Sequence, residues 1–441
     1  MMEPARTPLV TIATTDLCAI TRGRSVAAAK LEKVAAQGVG WVPANASLTP
    51  FDIIADPNPW GSRGDLRLHP DLAARYRVAS SRAPTPFDLV MADIVELDGA
   101  PWECCPRSIL KQALADFEAE TGLTIVSAFE QEFQIVGASW RPAPAFSLQA
   151  QRRCDPFAAE LMAALDEAGV EPEVFLSEYG RDQFEISCGP AFGEAAADRA
   201  VAVREITREI ARLNGLAATF APKISEEGVG NGVHLHLSFR DKSGAPVLFD
   251  PSGPGRLSSL GGAFCAGVLA HLPAITALTA PSVASYLRLR PHHWSAAWTW
   301  LGERDREATL RICPTSPVSG RNAASQFNVE YRAADATACP HLVLTAVARA
   351  GLEGVRAGLA SPPIVDTDPL AMSEDERHHL GLHRLPQSLQ EALAIMAGDK
   401  VVSAWFTDAL LKTYHGLKRR EIALLDGLDT SAMLDRYVGI Y

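Results

Sequence analysis

The sequence predicts an α+β fold dominated by antiparallel strands, on three observations. Strand-like stretches follow one another through tight turns, as in E-V-F-L-S-E-Y-G-R-D-Q-F-E-I-S-C (173–188). The helical stretches between strands vary in length and do not alternate regularly, which disfavours a doubly wound sheet. Two strands also carry carboxylates or imidazoles two residues apart, Glu130 with Glu132 and His234 with His236, and so on one face. With 441 residues, 47% of them hydrophobic, the chain can bury a substantial core. Its length allows two or three domains.

Residues 8–28 alternate as two short strands, with Thr14-Thr15-Asp16 as the turn. A short helix over 29–36 is closed by Gly38 and Gly40. Pro43 to Gly64 is rich in Pro, Gly, Asn and Asp and reads as a long ordered loop, a kind often used for function or contacts. Residues 86–99 form another strand and turn. The Pro101–Pro106 segment is the expected boundary, giving domains 1–104 and 105–441. A helix follows over Arg107–Thr121, with Pro106 near its start and Gly122 past its end. Next comes a buried strand, S-A-F-E-Q-E-F-Q-I-V (127–136). Residues 141–153 read as loop, and Asp155-Pro156 caps a helix that Gly169 stops. Later elements are a helix over 194–213, strands at 217–222 and 232–240, and helix around 259–279. Strands at 306–313 and 326–332 precede a mainly helical end.

A net charge of −11 and a pI near 5.5 argue against nucleic-acid or anionic-membrane partners. The eight Cys form no C-x-x-C pair and read as reduced thiols. The N-terminus M-M-E-P-A-R-T-P lacks a signal-peptide core, and no apolar run reaches the roughly 20 residues of a membrane span. A soluble cytoplasmic protein is expected.

The chemistry starts from Glu130 and Glu132. Two like charges on one buried face are costly unless a cation lies between them. Glu178 and Glu185 flank the Y-G-R-D turn, and His234 and His236 share a face in H-L-H. In Q-F-N-V-E-Y-R, Phe327, Val329 and Tyr331 face one way, and Gln326, Asn328, Glu330 and Arg332 the other. Arg304, Arg306 and Arg311 add positive charge. Five Glu and one His, without thiolate, suit Mg²⁺ or Mn²⁺. Paired ions with arginines suit phosphoryl transfer to an anionic substrate. No P-loop or kinase H-R-D motif is present.

Together these residues resemble the glutamine synthetase superfamily over nearly the whole chain. The motifs are G-D-L-R-L-H-P-D-L (64–72), P-W-E-C-C-P-R (101–107), F-E-Q-E-F (129–133) and E-Y-G-R-D-Q-F-E (178–185). They continue with A-T-F-A-P-K (218–223), G-N-G-V-H-L-H (230–236), S-Y-L-R-L (285–289), R-D-R-E-A-T-L-R (304–311) and V-E-Y-R (329–332). The resemblance implies an N-terminal β-grasp domain and a catalytic domain with a curved antiparallel sheet. It implies ATP, two or more Mg²⁺ or Mn²⁺, and inter-subunit sites in a dodecamer of two hexameric rings. By motif, Glu132, Glu178 and Glu185 resemble the ligands of a first metal, and Glu130, His234 and Glu330 those of a second. Arg288, Arg332 and the Gly230 backbone resemble glutamate-binding groups, and Arg306 and Arg311 phosphate-binding arginines. Asp65 is given a catalytic role, and Glu173, His236 and Ser238 match positions that contact ATP.

The family's reaction phosphorylates the γ-carboxylate of glutamate, and ammonia or an amine then displaces phosphate. The departures concern the nucleophile. The flap reads R-P-H-H-W-S-A-A-W, with Trp294 where ammonia-using members carry Glu. Asp52 or Asp56 stands in for the usual Asp of the early loop. An indole in place of a carboxylate favours a larger or apolar amine. The expected activity is therefore glutamate–amine ligation, with a true ammonia-using glutamine synthetase as the alternative and a catalytically silent oligomer as a further one. The tyrosine adenylylated in some members falls at His383.

Overall fold

The computed structural model describes residues 6–441. An N-terminal sheet contains β1 (Leu9–Thr15), β2 (Thr21–Ala27), β3 (Val39–Trp41), β4 (Leu66–Val78) and β5 (Phe87–Val95). Its order is β2-β1-β5-β4-β3, with β1 and β5 parallel and the other neighbours antiparallel. The helix Leu31–Gln37 lies between β2 and β3, which gives the expected β-grasp pattern.

The first turn sits later than the sequence suggested. Thr14 and Thr15 continue β1, opposite Arg22 and Thr21. Asp16 makes the turn instead: one carboxylate oxygen accepts from the backbone N–H of Cys18 (2.8 Å) and Ile20 (2.9 Å). Its other oxygen pairs with Arg22 at 2.6 Å. The strand β4 went unread because Pro70 interrupts its alternation. A register shift between Pro70 and Arg75 accommodates it.

The second sheet contains β6 (Thr124–Val136), β7 (Pro172–Ser177), β8 (Gln183–Cys188), β9 (Ala191–Phe192), β10 (Ala217–Thr219) and β11 (Val233–Arg240). It continues with β12 (Leu301–Glu303), β13 (Leu310–Ile312) and β14 (Val329–Tyr331). The order is β12-β13-β14-β11-β6-β8-β7, with β9 and β10 also on β6. Only the β12–β13 pair is parallel among these described strands.

Several strands are shorter than expected. The strand at 217–222 stops at Thr219, and that at 306–313 shrinks to Leu310–Ile312. Residues 323–326 form a helical turn capped by the Asn322 side chain, so only Val329–Tyr331 is strand. The expected loop at 141–153 contains the helix Leu148–Arg152, capped by Ser147. Asp155 does not cap the next helix; it pairs with Arg152.

The helix Ser259–Thr279 has the length and apolarity of a membrane span, but its apolar window is 67% buried inside the protein. His271, Pro273 and three glycines interrupt the run in sequence. It packs against the helix Pro340–Arg356 at Gly267 and Gly354, where a Cβ on Gly267 would lie 2.2 Å from the Ala350 carbonyl oxygen. The apolarity therefore belongs to a core helix.

A buried polar network ties the N-terminal sheet to three helices of the rest of the chain. Arg107, at the start of the helix Pro106–Thr121, donates to Asp71 on β4 (2.7 Å) and Asp93 on β5 (3.1 Å). It also pairs with Asp198 (2.9 Å), whose other oxygen lies 2.9 Å from His341. Removing one partner of such a network strands the remaining charges. Arg107→Ala is expected to lower stability by about 3–5 kcal/mol, read by denaturant unfolding; a change within error would show that the network carries no net stability.

Candidate active site

The strand register builds the site. Glu130 and Glu132 share one face of β6. Glu130 lies opposite His234 on β11, and Glu132 opposite Glu185 on β8. His236 lies opposite Glu330 on β14, and Glu330 opposite Arg311 on β13. Glu178 follows β7 at the tight turn, where its N–H donates to the Gln183 carbonyl oxygen at 2.9 Å.

Apart from Glu330, these groups line a cavity of about 480 Å³ with Gly230, Arg288, Trp294, Arg306 and Arg332. Glu330 is buried behind it, held by Arg311 at 2.8 Å and by Arg332. Arg288 is buried and spans the floor. It donates to the carbonyls of Ala333 (2.9 Å) and Ala334 (2.7 Å) and to Ser295 Oγ (3.2 Å). Gly230 must be glycine here, because a Cβ would lie 2.5 Å from the Pro222 carbonyl oxygen and 2.7 Å from Arg288 Cγ. Glu132 accepts the N–H of Gly232 at 2.8 Å and a bond from Gln183 at 3.3 Å.

The carboxylates are in conflict without a cation. Burial, then the Glu132 charge, pushes Glu178 up to about 7. Burial, then the charges of Glu130 and Glu132, pushes Glu185 up to about 9. Burial would raise Glu330 too, but Arg332, His234 and His236 outweigh it and hold it down at about 2. Two groups have ligand atoms within 4.8 Å of one another: Glu130, His236 and Glu330, and Glu130, Glu185 and His234. An oxygen-rich set that is self-repelling fits hard divalent cations. Glu130 belongs to both groups, and His236, expected on the nucleotide, stands among the candidate ligands as well.

A second cavity, of about 290 Å³, adjoins the first and shares Glu130 and His236 with it. Glu173 and Ser238 line it, as do Ser127, Arg240 and Asn328. The Ser127 and Ser238 hydroxyls are buried and have no hydrogen-bond partner, which suits a polar ligand in this cavity. The residues matched to ATP contacts therefore fall together.

Asp65 does not join them. It is exposed just before β4 and lines neither cavity of its own chain. Asp52 and Asp56 are also exposed, Asp52 paired with Arg22 at 2.8 Å. Several residues around the site had been given no role. Gln183 ties Glu132 to the Gly230 carbonyl (2.9 Å) and Asn231 (2.9 Å). Asn328 Oδ1 lies 2.8 Å from His236 Nδ1. Gln183 was legible only as part of a motif, and Asn328 only as one of an alternating polar face. Phe146 and Glu307 gave no signal.

The family model for the glutamine synthetase catalytic domain matches residues 103–437, and that for the N-terminal domain matches residues 2–102. The chain belongs to the glutamine synthetase family. It is an ATP-dependent ligase of the glutamate–amine or glutamate–ammonia type. It is 35% identical to gamma-glutamylpolyamine synthetase GlnA3 of Streptomyces coelicolor, over 97% of this chain and 92% of that protein. It is 31% identical to the glutamine synthetase of Pyrococcus furiosus, over 92% and 88%. A solved structure described as a novel glutamine synthase homolog matches at 48% identity with a TM-score of 0.92, covering both chains fully. A GmaS–ADP complex matches at 26% identity and TM-score 0.81, over 97% of this chain and 95% of that one.

The raised carboxyls make a signed pH prediction. A carboxyl whose folded value is raised adds stability below its ordinary 4.5 and loses it as pH rises through the folded value. Metal-stripped protein should therefore lose stability as pH rises from 4.5, the loss through Glu178 ending near about 7 and that through Glu185 near about 9. Added Mg²⁺ should raise Tm more near about pH 9 than near about pH 6. Equal Mg²⁺ shifts at both pH values would refute this account of the cluster.

Proposed function

We propose that the enzyme phosphorylates the γ-carboxylate of L-glutamate with ATP and transfers the γ-glutamyl group to an amine other than ammonia. The observation that carries this reading is Trp294, an indole bordering the carboxylate and arginine cavity where a flap carboxylate would serve ammonia. The polyamine acceptor in the name of the Streptomyces relative supports it. So does ADP in the GmaS structure, for a nucleotide in the second cavity.

In this reading Glu173, Ser238 and His236 border ATP. Arg288, Arg332 and the Gly230 backbone orient glutamate. Divalent cations held by Glu130, Glu132, Glu178, Glu185, His234 and Glu330 would neutralise phosphate charge. The two cavities meet at Glu130 and His236, so phosphoryl donor and acceptor meet over the carboxylates. Arg306 and Arg311 supply permanent positive charge to the phosphoryl group as it moves. The amine nitrogen then attacks the carbonyl carbon of the acyl phosphate: the carbon–nitrogen bond forms, the carbon–oxygen bond to phosphate breaks, and phosphate leaves carrying the proton that the nitrogen sheds. Trp294 borders the side from which the amine enters.

Asp65, with Asp52 or Asp56, is exposed on the N-terminal part, which supports their reaching a neighbouring copy's cavity. An oligomer of stacked hexameric rings would satisfy that arrangement. The eight buried, unpaired thiols suit a reducing compartment such as the cytoplasm.

The deciding experiment follows ADP release with glutamate across ammonia and a panel of amines. Turnover with amines and little with ammonia is expected; ordinary efficiency with ammonia and none with any amine would overturn the reading. Glu132→Ala should abolish ligation in the same assay, and near wild-type rates would remove Glu132 from the metal set. Asp65→Ala and Glu132→Ala chains, each inactive alone, should regain activity when coexpressed. Failure to do so would place Asp65 in its own chain's site or outside any site.

A further inference from the structure

Three aromatic rings meet at the cavity mouth. The Tyr179 and Trp294 rings are 5.2 Å apart, and Phe146 meets Tyr179 edge-on at 4.8 Å. All three line the cavity, yet they are 48%, 54% and 50% exposed for Phe146, Tyr179 and Trp294. Rings that touch one another while half open to solvent are a surface waiting for an apolar group.

The mouth is held in place. Glu307 accepts the backbone N–H of His292 on one oxygen (2.9 Å) and that of Trp294 on the other (3.1 Å). His292 and Trp294 both have positive φ, 60° and 54°, which non-glycine residues keep only when their surroundings impose it. Glu307 is itself anchored, since its N–H donates to Asp305 (2.8 Å) and its carbonyl accepts from Trp300 Nε1 (3.0 Å). The His292 ring lies 2.8 Å from the Asp368 carboxylate on the far side.

We infer that Phe146, Tyr179 and Trp294 form an acceptor-tail subsite for the hydrocarbon of a primary monoamine, and that Glu307 is the positioning residue that sets it. This rests on the amine-ligase reading above. A polyamine tail would bring a second ammonium to this mouth. That ammonium needs acceptors for three donors, and the two carboxylates that hold the flap are already engaged. Both Glu307 oxygens hold backbone N–H groups, and Asp368 holds His292 and the N–H of Leu370. Glu178, one residue from Tyr179, belongs to the proposed metal set, which leaves Arg306 as the charged group lining the cavity here. A hydrocarbon tail meets no such penalty.

The test compares n-pentylamine with 1,5-diaminopentane, which share chain length and differ in the distal ammonium. The expected kcat/KM favours the monoamine by about tenfold or more. From methylamine to n-pentylamine, kcat/KM should rise up to about fourfold per methylene. Trp294→Ala should flatten that rise and Trp294→Phe should keep part of it. Glu307→Gln should lower the pentylamine-to-methylamine ratio through the amine KM, with kcat less affected. A diamine as good as the monoamine would overturn the inference while leaving the ligase reading intact. An equal loss for all amines in Glu307→Gln would make its role merely structural and overturn the positioning claim. No turnover with any amine would end the ligase reading and the inference with it.

Discussion

Carboxylates forced onto one face of a sheet set the terms for the rest of this protein. Glu130, Glu132 and Glu185 are locked by strand pairing, and Glu178 by the turn that joins β7 to β8. None can move away from its neighbours without breaking the ladder. Their mutual repulsion adds to the cost of burial, and that cost is relieved by protons or by divalent cations. The raised values of Glu178 and Glu185 record this conflict, and a metal site is the arrangement that resolves it.

Charge of the other sign is placed with equal care. Arg311 and Arg332 close on Glu330 from two directions, so this carboxylate stays ionised although it is buried. Arg288 is held by two carbonyls and packs so tightly against Gly230 that a side chain there would collide. The cavity floor is thus rigid before any ligand arrives, which suits a site that must align a phosphoryl donor with a carboxylate. The mouth follows a different logic: exposed rings held by backbone hydrogen bonds offer apolar surface rather than charge.

The motifs made much of the site legible. F-E-Q-E-F, E-Y-G-R-D-Q-F-E, H-L-H and V-E-Y-R place functional groups at strand spacing, and a strand's period of two turns that spacing into a shared face. The long helices were legible for a similar reason, since Pro106 and Gly122 mark the ends of one of them. Short elements were not. The strand β13 has three residues and β14 three, and nothing local distinguishes them from the longer runs at 306–313 and 326–332. Their lengths follow from what pairs beside them. Pro70 hid β4 because a bulge can be recognised only when both strands are in view.

By itself the sequence determined the fold class, the candidate ligand set and the presence of an indole at the flap, because each depends on residue type at fixed local spacing. Only the tertiary structure decided how those residues share space. It put Glu130 and His236 at the junction of two cavities and left Asp65 outside both. It joined Arg107 to Asp71 and Asp93 on the N-terminal sheet and to Asp198 on the helix Ala195–Leu213. It also brought Phe146, Tyr179 and Trp294 together from three loops, with Glu307 beneath the last of them. Contacts between residues far apart in sequence depend on how the strands pair and how the loops pack over them, and no local pattern encodes either.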